Sequence, residues 1–305
     1  MSICANRVVI VTGAGRGLGR AYALELAQQG ACVVVNDLGV NPHGADAERG
    51  AARNPADEVV DQIKQMGGQA IANYDDVADW EGGHRLVQSA LTQFGSLHAI
   101  VNNAGFLRDL MFVSATPEEW DAVMKVHLRG HFCTTRHAVD YWRAQHKAGN
   151  PMKARIINTT SGAGLQGSIG QSAYSAAKAG IAGLTLVQAT ELNRYGITAN
   201  AVAPQARTRM TEGAFGDKMS SSENGFDIFA PENTAPLISY LCSEYSEHVT
   251  GEVFELIGGR LSVASGWNDG PAEDISRRWT AEEISRTMGN LLAQKTQGKP
   301  VYGTV

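Results

Sequence analysis

Tyr174 and Lys178 stand four residues apart in a stretch whose composition predicts a helix. Positions four apart lie on one helix face, so a phenol and an ammonium group would lie side by side. The cation would stabilise the phenolate and lower the pKa of the tyrosine from its usual value of about 10. Such a tyrosine can take or give a proton near neutral pH, and Ser161 could hold a substrate oxygen beside it. Taken alone, a core tyrosine and a surface lysine would explain the same pair, so the elements around it must decide.

The first 37 residues predict a unit that would place a nucleotide beside this pair. An apolar run at 7–11 predicts a strand buried on both faces, and the glycine-rich turn TGAGRGLG follows it at 12–19. A helix ends near Gly30, a second buried strand covers 32–36, and Asp37 stands at its end. The spacing GxxxGxG is a weak signal alone, but in this setting it is typical of dinucleotide binding, with the pyrophosphate at the helix N-terminus.

Two charged residues bear on which dinucleotide binds. A carboxylate at Asp37 would accept hydrogen bonds from the ribose hydroxyls and repel a 2′-phosphate, which favours NAD. Arg16, in the glycine turn, could instead attract that phosphate. We give Asp37 more weight, because Arg16 in the turn could hardly compensate for the repulsion between a 2′-phosphate and a carboxylate directly at the ribose hydroxyl. We therefore expect NAD as the cofactor.

The rest of the chain alternates strands with helices. Five further strands are predicted at 69–74, 98–101, 153–158, 197–203 and 252–257, with a long helix at 117–145 that bends near Gly130. This order predicts an α/β fold, a single doubly wound domain over residues 1–258 with a seven-stranded parallel sheet. Polar segments at 38–55 and 205–230 are expected to cover the adenosine and the substrate. A helical C-terminal extension, 259–305, is expected to pack on the domain or on a neighbouring subunit, or to border the substrate mouth.

Composition excludes several classes of protein. The chain has 305 residues, of which 43% are hydrophobic and 19% charged, as in ordinary soluble domains. A net charge of -5 without a basic run argues against a nucleic-acid partner. No apolar run approaches the roughly 18–20 residues of a membrane helix, and no leader is recognised, so we expect a cytoplasmic protein. The four cysteines show no metal spacing, so we expect no metal site.

Four motifs in order, TGAGRGLG, NNAG, the serine before the tyrosine, and YSAAK, resemble the short-chain dehydrogenase/reductase family. The resemblance covers residues 5 to about 258 and implies a Rossmann-like fold and a nicotinamide cofactor. The stretches NNAGFLRD, VHLRGHF and PQARTRMT resemble a narrower branch of that family. That branch contains the (3R)-hydroxyacyl-CoA dehydrogenase domain of the peroxisomal type 2 multifunctional enzyme, and some of its members are described as 17β-hydroxysteroid dehydrogenases.

The resemblance implies a role for each matching residue. Tyr174 matches the catalytic acid/base, Lys178 its activating lysine, which also holds the nicotinamide ribose, and Ser161 the residue that binds the substrate oxygen. The implied cofactor contacts are Gly13, Arg16, Gly17, Leu18 and Gly19 at the pyrophosphate, Asp37 at the ribose, Asp76 and Val77 at the adenine, Asn103 and Ala104 beneath the adenosine, and Pro204, Ala206 and Thr208 in the segment that binds the carboxamide.

Two positions depart from the family pattern. His127 stands where many members carry an asparagine that holds a water in a proton relay, and it could hold water, titrate or simply pack. Gln205 stands where the family usually has glycine after the proline. The assigned roles around these two positions are therefore open.

The resemblance implies reversible oxidation of a secondary alcohol. The favoured substrate is a 3-hydroxyacyl-CoA, with a free 17β-hydroxysteroid as the alternative. A non-catalytic NAD-binding regulatory protein is the alternative from a different class, and the complete set of Ser161, Tyr174 and Lys178 argues against it. The family pairs subunits through the helices equivalent to 117–145 and 171–195, so we expect a homodimer or homotetramer.

Overall fold

The computed structural model describes residues 2–39, 53–208 and 225–304. Across these residues, eight strands form one sheet in the order β3-β2-β1-β4-β5-β6-β7-β8, parallel except for β8. The strands are β1 Val8–Thr12, β2 Cys32–Asn36, β3 Gln69–Asn73, β4 Ala99–Asn102, β5 Ala154–Thr159, β6 Ile197–Gln205, β7 Val253–Ile257 and β8 Arg260–Val263. The predicted doubly wound α/β fold is confirmed.

Helices connect the parallel strands. They are α1 Gly17–Gln28, α2 Pro55–Gln65, α3 Trp80–Phe94, α4 Pro117–Met124, α5 Gly130–Lys147, α6 Gly162–Gln166, α7 Ser172–Leu192, α8 Ala235–Cys242 and α9 Ala281–Gln294. Short 3₁₀ turns lie at Phe112–Ser114, Asn193–Tyr195, Pro231–Thr234 and Glu244–Ser246. No helix in the described ranges is long and apolar enough to cross a membrane.

Alternation along the strands divides the core between the two faces of the sheet. Val9 and Val11 of β1 pack with α1, α2 and α8, whereas Val8 and Ile10 pack with α3 and α5. Successive side chains of a strand point to opposite faces, so β1 has to be apolar throughout its length. This explains why the buried strands read as continuous apolar runs.

The sheet differs from the sequence prediction at its edge. β8 follows β7 after the tight turn at Gly258 and pairs with it antiparallel, Ile257 with Arg260. A short turn permits only antiparallel pairing, and the polar, exposed run of β8 gave no strand signal. β6 continues past its predicted end because Pro204 and Gln205 still pair with β7. The extension predicted for 259–305 thus begins inside the sheet, and the domain boundary at 258 stays a prediction.

The long helix predicted at 117–145 is three segments. A π-helical turn, Lys125–Arg129, separates α4 from α5 immediately before Gly130, where a bend was expected. Single π-turns within helices are rare and often occur at functional sites. Here the turn carries His127, which is buried.

The C-terminal extension carries an isolated helix and a terminal contact. The capping box of Thr280 and Glu283 opens α9 as predicted, yet none of its residues is buried. Farther on, Tyr302 pairs with Ser168 beside the main domain. The segments predicted to cover the cofactor and the substrate are 38–55 and 205–230. Most of each, namely 40–52 and 209–224, lies outside the described residues.

Candidate active site

The residues implied by the motifs follow the carboxyl ends of β1, β2, β4, β5 and β6, at one edge of the sheet. Ligands bind at this edge in open parallel sheets. The candidate residues therefore lie on one side of the molecule.

The glycine turn is shaped for close approach of a ligand. Gly13 has a φ of +61°, a conformation that L-residues with a side chain rarely adopt. At Gly19 a Cβ atom would overlap the carbonyl oxygen of Gly13. The turn is held from β4: Nδ2 of Asn103 donates to the Thr12 and Gly13 carbonyls at 3.0 and 3.1 Å, and the Thr12 hydroxyl accepts from the Asn103 and Ala104 amides. These residues fit a dinucleotide pyrophosphate, whose anion the N-terminus of α1 would face.

Asp37 lies directly against this turn. Its two carboxylate oxygens accept hydrogen bonds from the backbone amides of Gly15, at 2.9 Å, and Gly39, at 2.8 Å. These contacts fix the carboxylate where strand β2 ends. Arg16, the residue that could attract a phosphate instead, is exposed at the N-cap of α1.

The remaining predicted cofactor residues are placed by turns and strand ends. Asp76 accepts a hydrogen bond from the Ala78 amide at 2.8 Å, and the buried side chain of Val77 lies against Gly130. Pro204 belongs to β6, Ala206 is buried, and Thr208 faces Gly17, where a Cβ atom would lie 3.4 Å from the threonine methyl. Leu18 packs against the core from α1.

The three candidate catalytic side chains converge around the first turns of α6 and α7. Ser161 is the N-cap of α6, and its hydroxyl accepts a hydrogen bond from the Ala163 amide at 3.2 Å. Tyr174 and Lys178 occupy successive turns of α7, with the ammonium nitrogen 5.5 Å from the centroid of the phenol ring. The Thr160 hydroxyl donates to the Lys178 carbonyl at 2.6 Å and so fastens α7 to the end of β5.

Burial sets the pKa values of this pair. Desolvation raises the pKa of Tyr174 to about 12, although a hydrogen bond with Ser161 acts in the opposite direction. Desolvation also lowers the pKa of Lys178 to about 7. The expectation of a lowered tyrosine pKa is therefore wrong for this structure, because burial outweighs a cation that bonds to the Thr159 carbonyl instead of the phenol.

His127 touches the same tyrosine. Its ring meets Tyr174 edge to face, with centroids 5.2 Å apart. Its Nε2 lies 2.8 Å from the Phe106 carbonyl oxygen and 3.2 Å from the Phe106 amide nitrogen, and buried Nδ1 has no hydrogen-bond partner among the described residues. Burial, with Lys178 in second place, lowers the pKa of His127 to about 3, so the ring is neutral. His127 thus packs against the acid/base candidate, and its Nδ1 is a buried ring nitrogen without a hydrogen-bond partner in the described part of the chain.

Comparison with known proteins decides the family. The sequence profile described as short chain dehydrogenase matches residues 7–218. This chain is a short-chain dehydrogenase. It is therefore an oxidoreductase, and its fold calls for a nicotinamide dinucleotide.

Individual relatives extend the comparison. The chain is 42% identical to a hydroxyacyl-CoA dehydrogenase of Mycobacterium tuberculosis, over 92% of this chain and 84% of the relative. It is 41% identical to the peroxisomal multifunctional enzyme type 2 of Mus musculus, over 96% of this chain but only 35% of that longer protein. The crystal structure of a short chain dehydrogenase from Mycobacterium avium superposes with a TM-score of 0.89 at 50% identity, over 99% of this chain and 100% of the other. The predicted resemblance to this branch is confirmed.

The short-chain dehydrogenase site also contains residues that the sequence analysis missed. Gln171 donates from Nε2 to both carboxylate oxygens of Asp109, each at 3.0 Å, and the Asp109 charge raises the pKa of Tyr174 further. His131 accepts a hydrogen bond from the Thr159 amide at 3.3 Å beneath Lys178. A signal for Asp109 existed, since it lies in the NNAGFLRD stretch, but its pairing with Gln171 depends on tertiary structure.

Proposed function

We propose that this protein oxidises 3-hydroxyacyl-CoA thioesters reversibly to 3-ketoacyl-CoA, with NAD as the cofactor. The observation that carries the proposal is the convergence of Ser161, Tyr174 and Lys178 beside a glycine turn whose neighbour is a carboxylate, Asp37. A carboxylate at that place favours a ribose with unmodified hydroxyls over a 2′-phosphate.

The acyl-CoA assignment is supported by relatives and by the surface beside the site. Relatives at 42% and 41% identity are named hydroxyacyl-CoA dehydrogenase and multifunctional enzyme. The segment that follows Phe106 exposes Met111, Phe112 and Val113, the last two with 78% and 92% of their surface accessible. Leu110 in this segment pairs with Gln171 just before the helix of Tyr174, which supports a contact between this apolar surface and an acyl chain.

The protein's own residues handle the proton and the orientation. Ser161 and Tyr174 hold the substrate oxygen, and Tyr174 exchanges its phenolic proton with that oxygen as the carbonyl forms or is reduced. In the direction of reduction the neutral phenol donates, which suits its raised pKa. Lys178, anchored to the Thr159 carbonyl, places positive charge beside the phenol when it is protonated. The bound nicotinamide supplies the hydride chemistry, and the protein sets the geometry.

The test is turnover by the purified protein. NADH formation is followed with a 3-hydroxyacyl-CoA and with a 17β-hydroxysteroid. Tyr174→Phe is measured beside Tyr195→Phe, a matched control in the 3₁₀ turn that follows α7. We expect turnover of the thioester, its loss in Tyr174→Phe and its retention in Tyr195→Phe. Faster turnover of the steroid would reject the acyl-CoA assignment, and activity that survives in Tyr174→Phe would reject the acid/base role.

We also propose that the protein is a homodimer or homotetramer that pairs through α4, α5 and α7. These helices line a groove with Leu128 and Leu184, and Phe132, Leu186 and Val187 are exposed nearby. Exposed apolar side chains grouped on one face support association. Light scattering tests the oligomer, and a monomer at micromolar concentration would contradict it.

The four free cysteines support a reducing compartment such as the cytoplasm.

A further inference from the structure

The stretch 162–171 joins Ser161 to the helix of Tyr174 and is held from two sides. On one side, Gln171 bonds to Asp109, and Leu110 donates its amide hydrogen to the Gly170 carbonyl at 2.7 Å. On the other side lies Tyr302 of the C-terminal extension. The Ile169 amide donates to the Tyr302 carbonyl at 3.0 Å, and the Tyr302 amide donates to the Gly167 carbonyl at 3.2 Å.

The Tyr302 side chain continues toward the catalytic serine. Its ring covers Gly162, the residue after Ser161, so closely that a Cβ atom there would lie 2.8 Å from ring atom Cε2. Its hydroxyl oxygen accepts a hydrogen bond from Nε2 of Gln205 at 2.6 Å. Gln205 ends β6 and leads into Ala206 and Thr208, the segment assigned to the cofactor. The phenol of Tyr302 therefore connects the start of α6, which Ser161 caps, to the end of β6, which leads into the segment assigned to the cofactor.

Two features of the sequence that the mechanism leaves unused thus meet at one point. They are the glutamine after Pro204 and the end of the extension beyond residue 258. A second contact holds the extension near this place, because Lys299 forms an ion pair with Glu255 of β7. None of the residues of α9, the helix that precedes this end of the extension, is buried. The contacts of Lys299 and Tyr302 therefore do much to hold the end of the extension in place.

We propose that Tyr302 is a positioning residue of the active site. It holds Ser161 in register with Tyr174 through its ring on Gly162 and its hydrogen bond with Gln205. Among the described residues, the hydrogen bonds of Tyr302 go to Gly167, Ile169 and Gln205 rather than to Ser161 or Tyr174, so it acts on the rate through the placement of the serine hydroxyl. The effect on 3-hydroxyacyl-CoA turnover rests on the proposed function, whereas the ordering of 162–171 does not.

The kinetic test is a double-mutant cycle. Tyr302→Phe keeps the ring and removes the hydroxyl, Gln205→Ala removes the donor, and Tyr245→Phe is the control on an exposed tyrosine. We expect kcat for the thioester to fall about fivefold to tenfold in each single variant, as for loss of one hydrogen bond, and no further in the double variant. The KM for NAD and the thermal midpoint should stay near those of the wild type. Additive losses, or unchanged kcat in both variants, would overturn the proposal.

A second measurement does not depend on the substrate. Amide hydrogen exchange of 167–171 is compared between the wild type and Tyr302→Ala, which removes the ring. We expect faster exchange in this segment and unchanged exchange in β1 and β2. Unchanged exchange in 167–171 would overturn the proposal that Tyr302 orders this segment. If the wild type fails to turn over any 3-hydroxyacyl-CoA while exchange still rises in Tyr302→Ala, the proposed function fails and the ordering role of Tyr302 stands.

Discussion

The ammonium group of Lys178 donates a hydrogen bond to the Thr159 carbonyl oxygen at 2.7 Å. The lysine is 3% exposed, and burial lowers its pKa to about 7. The side chain that supplies positive charge to the site is thus anchored to the end of β5 and titrates close to neutral pH.

Lys178→Met should therefore change both activity and the pH dependence of stability. Between pH 7 and about 10.4 the unfolded chain binds a proton at this lysine and the folded protein does not, so this group makes the wild type more stable as pH rises. The free energy of unfolding of the wild type relative to the variant should increase with pH, with a limiting slope of about 1.4 kcal/mol per pH unit. Urea unfolding at several pH values measures it. A relative stability that falls with pH would contradict the lowered pKa. The kcat of Lys178→Met should also be lower than that of the wild type by about 10²-fold or more.

Asp109→Asn should shift the pH profile of oxidation toward lower pH. The Asp109 charge is one of the causes that raise the pKa of Tyr174, and the variant removes the charge while an amide oxygen can still accept from Gln171. We expect the rising limb of kcat to move by about half a unit to one unit. Asp140→Asn, on the exposed side of α5, is the charge-matched control. A shift in the opposite direction would mean that Asp109 acts through structure rather than charge.

Periodic local signals made the fold predictable. Continuous apolar runs located the parallel strands, and the capping box at Thr280 located α9. The exposed strand β8 carried no such pattern. The π-turn around His127 could not be predicted either, because its residue types do not differ from those of an ordinary α-helical turn. Within the site, motif spacing predicted that Ser161 and Tyr174 act together, and the two residues lie at the starts of α6 and α7. The balance of burial against charge that sets the tyrosine pKa depends on packing, as does the contact between Tyr302 and Gln205.

His127→Asn should lose less stability in acid than the wild type. Burial lowers the pKa of His127 to about 3, so between that value and about 6.5 only the unfolded chain binds a proton at this ring, and the folded protein loses stability as pH falls. An asparagine can still pair with the Phe106 backbone but does not titrate. Unfolding free energies at pH 7 and pH 5 test this, and equal losses in both proteins would show that His127 is not buried neutral. His131 titrates in the same direction and remains in both proteins.

Asp37→Ser should relax the choice of cofactor. On the proposed NAD assignment, the carboxylate that bonds to the Gly15 and Gly39 amides would repel a 2′-phosphate. Serine removes the negative charge, so we expect the ratio of kcat/KM for NADP to that for NAD to rise by about 10²-fold, or roughly 2.7 kcal/mol. Steady-state kinetics with both cofactors measure the ratio. A wild type that prefers NADP would contradict the assignment, and would direct attention to Arg16.

Gly19→Ala should abolish cofactor binding, because the added methyl group would overlap the Gly13 carbonyl and lie 2.6 Å from Nδ2 of Asn103. The Gly13 carbonyl belongs to the backbone of the turn that would face the pyrophosphate. The Asn103 amide is held by its hydrogen bonds to the Thr12 and Gly13 carbonyls, so neither neighbour can easily move away. Gly289→Ala is the matched control, since among the described residues no atom outside the local backbone of α9 lies within 4 Å of its Cβ position. There alanine should leave NADH affinity unchanged and raise helix stability by roughly 0.5–1 kcal/mol. Fluorescence titration with NADH measures both variants. Wild-type affinity in Gly19→Ala would show that the turn does not cradle the cofactor, whereas loss of affinity in both variants would point to a general effect on folding.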